Sequence, residues 1–324
     1  MKAVYCDRYG PPAVLELKEV QKPTPEGKEV LIRIYATAVS SGDTRIRSGL
    51  RARLPLWPFS KLAIGWRRPK NPILGMCFAG EVEAIGENVT RFRVGDQVYG
   101  SCGKTYAEYI QVSEERAIAR KPANLSYAEV AGIPFGAISA LHFLKNQGKI
   151  SEGQQVLIYG ASGSVGTYAI QLAKYFGAEV TAVCSGANAE LVKSLEADHV
   201  WDYTCDDITL TDRTYDIIFD TVGKTTYSSY KALLKENGRY LLAVFDFPQV
   251  ALMLWTSLMG KKKVMGGIAD SKVEHLDFLR DLMESEKLKP VIDRHYQLEE
   301  IVEAHQYVDL GHKKGDVIID VVQS

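Results

Sequence analysis

One stretch constrains this chain more than any other. Residues 156–159, Val-Leu-Ile-Tyr, run into Gly160-Ala161-Ser162-Gly163-Ser164-Val165-Gly166 and then into Tyr168-Ala-Ile-Gln-Leu-Ala-Lys-Tyr-Phe. A short apolar run bounded by glycine predicts a buried strand, and the apolar positions 165, 169, 172, 173 and 176 repeat at helical spacing. Strand, glycine turn and helix in that order make the phosphate-binding corner of a parallel α/β sheet. Gly163 lets the backbone approach a pyrophosphate, Gly166 lets the helix pack closely, and the free N–H groups at the helix start hold phosphate oxygens. The expected dinucleotide contacts are therefore Gly160, Ser162, Gly163, Ser164, Val165 and Gly166, with Ala161 where the first glycine of G-x-G-x-x-G is usual. A structural glycine turn without a ligand is the other reading of these residues. The nucleophile elbow G-x-S-x-G, with Ser162 as nucleophile, fits less well, because Ser164 stands where that crowded turn needs glycine.

The kind of dinucleotide is decided after the next strand, where NAD enzymes place an acidic residue on the ribose hydroxyls. Here the chain reads Cys184-Ser185-Gly186-Ala187-Asn188. No carboxylate stands at that strand end to repel a 2′-phosphate, and Ser185, Asn188 and Tyr203 can donate hydrogen bonds to one. The expected cofactor is NADPH rather than NADH. Lys193 reads as a solvated helix lysine.

The pattern around this corner divides the chain. Up to about residue 121 short β-rich runs (29–35, 79–86 and 95–100) alternate with glycine and proline, which predicts a small, mostly antiparallel β domain. From 123 onward apolar strands at 155–159, 179–183, 199–201, 216–219, 239–244 and 263–265 alternate with helical periods, which predicts a parallel sheet with helices on both faces. The tail adds an amphipathic helix (Leu276, Leu279, Leu282, Met283), a second helical stretch and a last strand at 316–321 that is expected to return to the first domain. The fold class is α/β, a doubly wound Rossmann sheet plus a β domain. The expected division is 1–122, completed by 271–324, and 123–270, in keeping with 324 residues at roughly 150 per domain.

Composition narrows the function. The net charge of -1 gives no field for holding nucleic acid or an anionic membrane. Five scattered cysteines without a CxxC pair point to free thiols in a reducing compartment rather than disulfides or structural zinc, and the six histidines form no ligand cluster. The N-terminal residues lack the apolar core of a signal peptide, so the expected location is cytoplasmic.

Several separated motifs then carry a likeness: Tyr9-Gly-Pro-Pro, Gly75-Met-Cys-Phe-Ala-Gly80-Glu-Val, Val94-Gly95-Asp96-Gln-Val-Tyr, the glycine loop, Ala197-Asp198-His199-Val with Asp202-Tyr203, and Asp220-Thr-Val-Gly223. In this order they resemble the medium-chain dehydrogenase/reductase superfamily, specifically its zinc-free quinone oxidoreductase branch, over essentially the whole chain. The resemblance implies a GroES-like β domain, a Rossmann domain, an active site in the cleft between them, and a homodimer joined through the edge strand of the Rossmann sheet. Zinc-dependent members hold catalytic zinc with Cys, His and Cys. The matching positions here are Ser40, Met76 and Phe135, none a good zinc ligand. Without a Lewis acid, reduction of a quinone or an activated alkene is the expected chemistry.

The resemblance also assigns roles. Ser40 lies where such reductases often carry an active-site Asn, and is either a substrate hydrogen-bond donor or a turn residue. Asp43 orients its neighbours or caps a helix. Arg45 falls where some enoyl reductases place a proton-donating tyrosine. Ser139 matches a residue that touches the nicotinamide ribose or phosphate. Val222, Val244 and Ile268 end Rossmann strands at the cofactor edge, with core packing as their other reading. Two segments, 51–70 (Trp57, Phe59, Trp66, Arg67, Arg68) and 247–263 (Trp255, Lys261-Lys262-Lys263), read as a hydrophobic lid, with dimer or core packing and a patch resting on a membrane as the other readings. The expected function is zinc-independent hydride transfer from NADPH to a quinone or α,β-unsaturated carbonyl compound. The alternatives are an enoyl-thioester reductase and a non-catalytic NADPH-binding protein.

Overall fold

The structure, a computed structural model, describes residues 1–49 and 64–322. They form two compact units, one built from the described residues up to Phe135 plus the stretch from Ser271 onward, the other from Gly136–Asp270.

The first unit opens with β1 (Lys2–Cys6) antiparallel to β2 (Leu15–Glu19). Its main sheet grows from β3 (Glu29–Ala38), where Val30, Ile32 and Ile34 alternate inward. Helix α1 (Ser41–Arg47) follows, then β4 (Cys77–Ile85), β5 (Gln97–Ser101), β6 (Tyr109–Ser113) and β7 (Ile118–Arg120). Strand β3 pairs with both β4 and β6, β4 with β5, and β5 with β7, all antiparallel. The alternating residues bury Phe78, Val82, Phe92, Val98 and Ile118 against β3, and each such side chain contributes about 2 kcal/mol.

Two helices, α2 (Tyr127–Ala131) and α3 (Ile133–Leu141), lead to the second unit. There β8 (Gln155–Tyr159), α4 (Ser164–Tyr175), β9 (Glu179–Cys184), α5 (Ala189–Ser194), β10 (His199–Asp202), β11 (Tyr215–Asp220), α6 (Tyr227–Tyr230), β12 (Leu234–Leu242), α7 (Phe247–Met259) and β13 (Lys263–Gly266) follow in turn. All six strands are parallel in the order β10-β9-β8-β11-β12-β13, the doubly wound Rossmann sheet. Val156, Leu157 and Ile158 of β8 are fully buried, which is why that strand reads as a continuous apolar run.

The chain then returns to the first unit through α8 (Val273–Glu284), β14 (Ile292–Gln297), α9 (Ile301–Asp309) and β15 (Asp316–Asp320). Strand β15 pairs antiparallel with β3, Ile318 opposite Ala38, and parallel with β14. Residues 123–135 lie in this unit, so the expected boundary at 122/123 falls too early. The reason is α2, whose Tyr127 stacks on Tyr35 of β3 with ring centroids 4.4 Å apart and whose Val130 and Ala131 are buried. Among the described residues no helix is long and apolar enough to cross a membrane.

Candidate active site

In the second unit the strand order reverses between β8 and β11, and their C-terminal ends carry the glycine loop and the turn at 221–223. Gly160 takes the left-handed backbone (φ 79°), so the tight turn is made there and Ala161, fully buried, needs no glycine. A Cβ on Gly166 would lie 2.2 Å from the Gly160 carbonyl oxygen, so α4 packs directly on the loop. At Gly163 the nearest atom to an added Cβ would be the Gly160 carbonyl oxygen at 3.5 Å, an ordinary contact, so the backbone there is not crowded. Gly163 is also the N-cap of α4. No side chain caps that helix and its first turn holds no acidic residue, which leaves amide N–H groups and the positive end of the helix dipole for an anion.

The serines around the loop divide by environment. Asn188 Nδ2 donates to Ser162 Oγ at 3.0 Å and to Ser185 Oγ at 3.2 Å, so three expected contacts join the loop to the end of β9. Ser164 is buried where α3 passes: a Cβ on Gly136 would sit 2.6 Å from its Oγ. Val165 is half-buried on α4, and Ser139 is half-buried on α3, one turn after Gly136. Tyr203 is exposed and stacks on Tyr159, ring centroids 6.1 Å apart.

The structure corrects the expectation that no carboxylate stands at the end of β9. The parallel register sets Asp202 of β10 beside Cys184, and its carboxylate accepts from the Gly186 amide as well as from Thr204 N at 2.9 Å and Thr204 Oγ1 at 2.7 Å. The Thr204 hydroxyl and amide hold that carboxyl below its ordinary range, so it is charged at neutral pH.

Val222, Val244 and Ile268 each lie two residues past the end of β11, β12 and β13, along one sheet edge. Val222 and Ile268 are exposed and Val244 is buried. What sets Val222 is Asp220, to which the sequence reading gave no role. Fully buried, it accepts from Val222 N (2.9 Å), Gly223 N (2.7 Å), Thr225 N (2.8 Å) and Thr225 Oγ1 (2.6 Å). Thr221 Oγ1 donates to Tyr159 O at 2.9 Å, tying this turn to β8. The signal was the acidic residue ahead of a small polar turn.

In the first unit Ser40 is the N-cap of α1 and Asp43 its third residue. Asp43 N donates to Ser40 Oγ (3.2 Å), and Ser40 N (2.9 Å) and Oγ (2.6 Å) donate to Asp43 Oδ2. The capping role is thus occupied, and the Tyr106 phenol is the carboxylate's other hydrogen-bonding neighbour. Burial pushes this carboxyl up to about 6, against the pull of the Ser40 hydrogen bonds. Tyr106, whose phenol is raised by burial and by the Asp43 charge, meets His305 edge-on at 5.6 Å, and Arg47 beside them bonds Asp309 at 2.7 Å.

Ser40, Met76 and Phe135 converge on one point. A Cβ on Gly42 would lie 3.0 Å from Met76 Sδ, 3.2 Å from Phe135 Cε2 and 3.3 Å from Ser40 Oγ, and Ser40 Oγ is 4.0 Å from Met76 Sδ. A hydroxyl, a thioether and a phenyl ring do not make a zinc donor set. Of the basic aromatic segment, Trp57 and Phe59 lie outside the described residues, Trp66 is exposed, and Arg67 and Arg68 are exposed beside it.

Residues 26–139 match the family model of the alcohol dehydrogenase GroES-like domain, and residues 195–319 that of the zinc-binding dehydrogenase. The chain is 33% identical over 341 residues to a chloroplastic quinone oxidoreductase, QR1, of Triphysaria versicolor, covering 99% of this chain and 98% of that protein. It is 32% identical over 334 residues to the 2-methylene-furan-3-one reductase of Solanum lycopersicum, covering 98% and 79%. The solved structure of the quinone oxidoreductase from Coxiella burnetii superposes with a TM-score of 0.88 at 30% identity, covering 99% of each chain.

Proposed function

Because the chain belongs to the medium-chain dehydrogenase/reductase superfamily, in its quinone oxidoreductase branch, we propose that it uses NADPH to reduce a quinone or an α,β-unsaturated carbonyl compound without zinc. The observation that carries the reading is the uncrowded, uncapped start of α4 at Gly163, which fits a dinucleotide phosphate. When bound, the nicotinamide supplies the hydride, chemistry that no side chain of this protein offers.

The chain's own residues hold and orient. In this reading the α4 amides take the pyrophosphate. Ser162, Ser185 and Asn188 face the ribose end, with Tyr203 beside them, and Val222, Val244 and Ile268 border the nicotinamide. Ser139 is assigned to the nicotinamide ribose or phosphate. Ser40 turns its hydroxyl from Asp43 to the acceptor oxygen when the acceptor enters, while Asp43 keeps the Ser40 amide in place; with Met76 and Phe135 beside Ser40 the acceptor is held by shape and one hydrogen bond rather than by a metal. A homodimer joined along β13, one of the two outer strands of the six-stranded sheet, completes the proposal.

The test is oxidation of NADPH and NADH with benzoquinone, naphthoquinone, enone and enoyl-CoA acceptors, with and without a chelator. Chelator-insensitive turnover of quinones or enones, faster with NADPH, is the expected result. Tight NADPH binding without turnover of any acceptor would overturn it in favour of a binding protein. The Asp202→Asn protein sharpens the cofactor arm: removing the charge beside Gly186 is expected to raise the NADPH preference several-fold, and an unchanged ratio would remove this strand end from the cofactor site.

A further inference from the structure

The outer side of α7 is apolar along its whole length. Residues 247–260 contain no charged side chain, and Phe247, Ala251, Leu254, Trp255 and Leu258, which recur at helical spacing along one face, are all exposed. Leu258 is 85% exposed, Met259 79% and Leu254 64%. The helix does not need this face in order to fold. Its inner side already carries the docking, with Val250, Leu252 and Met253 packed on the sheet core and Thr256 Oγ1, fully buried, accepting from Val264 N at 3.1 Å. Isolated exposed apolar side chains are ordinary, whereas a continuous ridge marks an interaction surface.

Charge at one end says what the ridge meets. Lys263 Nζ donates to the last helix carbonyls, Thr256 O (3.1 Å) and Ser257 O (2.9 Å), and Lys262 Nζ to Lys231 O at 2.8 Å. Lys261 bonds Glu236. Lys261, Lys262 and Lys263 therefore follow Met259 directly at that end of the ridge, with the Glu236 carboxylate on Lys261. An apolar ridge carrying a tryptophan, with cations at its end, complements an anionic interface. Thirteen residues at about 1.5 Å each are too few to cross a bilayer, so the helix can only lie along one.

We propose that the outer face of α7, with Lys261 and Lys262 at its end, docks the protein on the surface of an anionic lipid bilayer. The inference is independent of which acceptor is reduced. It is tested by sedimenting the full protein with phosphatidylcholine vesicles made with and without phosphatidylserine. The expected result is about tenfold stronger partition onto the anionic vesicles, weakened by salt. The exposed pair Leu254→Gln/Leu258→Gln, with circular dichroism and melting as in the unaltered protein, loses partition onto the anionic vesicles. Lys261→Gln/Lys262→Gln loses only the preference for them. No partition onto anionic vesicles, or partition unchanged in the leucine pair, overturns the proposal. So does self-association that the leucine pair abolishes, which would assign the ridge to a second copy of the chain.

Discussion

Gly163 and Gly166 stand on one loop, yet a methyl group has opposite consequences at the two. At Gly163 it meets nothing closer than 3.5 Å, so the folded protein accepts it and only a ligand lying on the backbone is displaced. At Gly166 it would sit 2.2 Å from the Gly160 carbonyl oxygen and 2.7 Å from the Ala161 backbone, neither of which can move without opening the turn. Gly163→Ala is expected to lower the melting temperature by only about 2–4 °C, because alanine is a poorer N-cap than glycine by about 1 kcal/mol and meets no clash there. It should weaken NADPH binding about tenfold or more, the cost of one charge-assisted hydrogen bond. Gly166→Ala should cost at least about 3 kcal/mol of stability. Melting curves with and without NADPH separate the two. Equal destabilisation by both substitutions would mean that the loop is only a turn.

Elements, rather than residues, set the second wall of the site. The turn after β11 is folded around the Asp220 carboxylate, which takes three backbone N–H groups and one hydroxyl in a fully buried position. Asp220→Asn keeps the size but points an NH2 group at donors, so urea unfolding should show a loss of about 3 kcal/mol, with weaker NADPH binding as Val222 leaves its place against Gly160. An unchanged unfolding midpoint would show that the turn is held by its neighbours. The contrast with β8 explains what could be read from sequence. Strand, glycine turn and α4 announce themselves within about twenty residues because apolar run, glycines and helical period are all local. Ser40 and Asp43 likewise sit at capping-box spacing. Asp202 could not be placed that way, because it reaches Gly186 only through the register of β10 on β9. Nor could α2 be assigned to its unit, since Tyr127 finds Tyr35 across a long separation. Strand β14, Ile-Asp-Arg-His-Tyr-Gln, has no apolar alternation to mark it and is held by its pairing with β15. Distant register, not local propensity, carried that information.

At the scale of the whole molecule, two buried groups of the first unit pull its stability in opposite directions with pH. His305 is fully buried with neither ring nitrogen bonded; burial, and then the charge of Arg47, push it down to about 3. Unfolded, a histidine binds its proton near 6.5, so between pH 3 and 6.5 the unfolded chain holds more protons and this group makes stability rise with pH. Asp43 does the reverse. Its folded value of about 6 lies above the unfolded 3.8, so in that interval the native state holds the extra proton and stability falls as pH rises. Carboxylates held low by surface partners, Asp198 and Glu299 among them, exert their effect below about pH 4.5, which leaves pH 5 to 6 to this pair. Each group contributes a slope of about 1 kcal/mol per pH unit there, with opposite sign, so the unaltered protein should be nearly flat. Asp43→Asn keeps an acceptor for the Ser40 amide and removes the falling slope, so its stability should climb by about 1 kcal/mol from pH 5 to 6. His305→Phe keeps the edge-on contact with Tyr106 and removes the rising slope, so its stability should drop by a similar amount. Calorimetry of the three proteins across that interval checks the pair: slopes of the same sign in the two variants would mean that at least one of these groups titrates in the folded protein as it does in the unfolded chain.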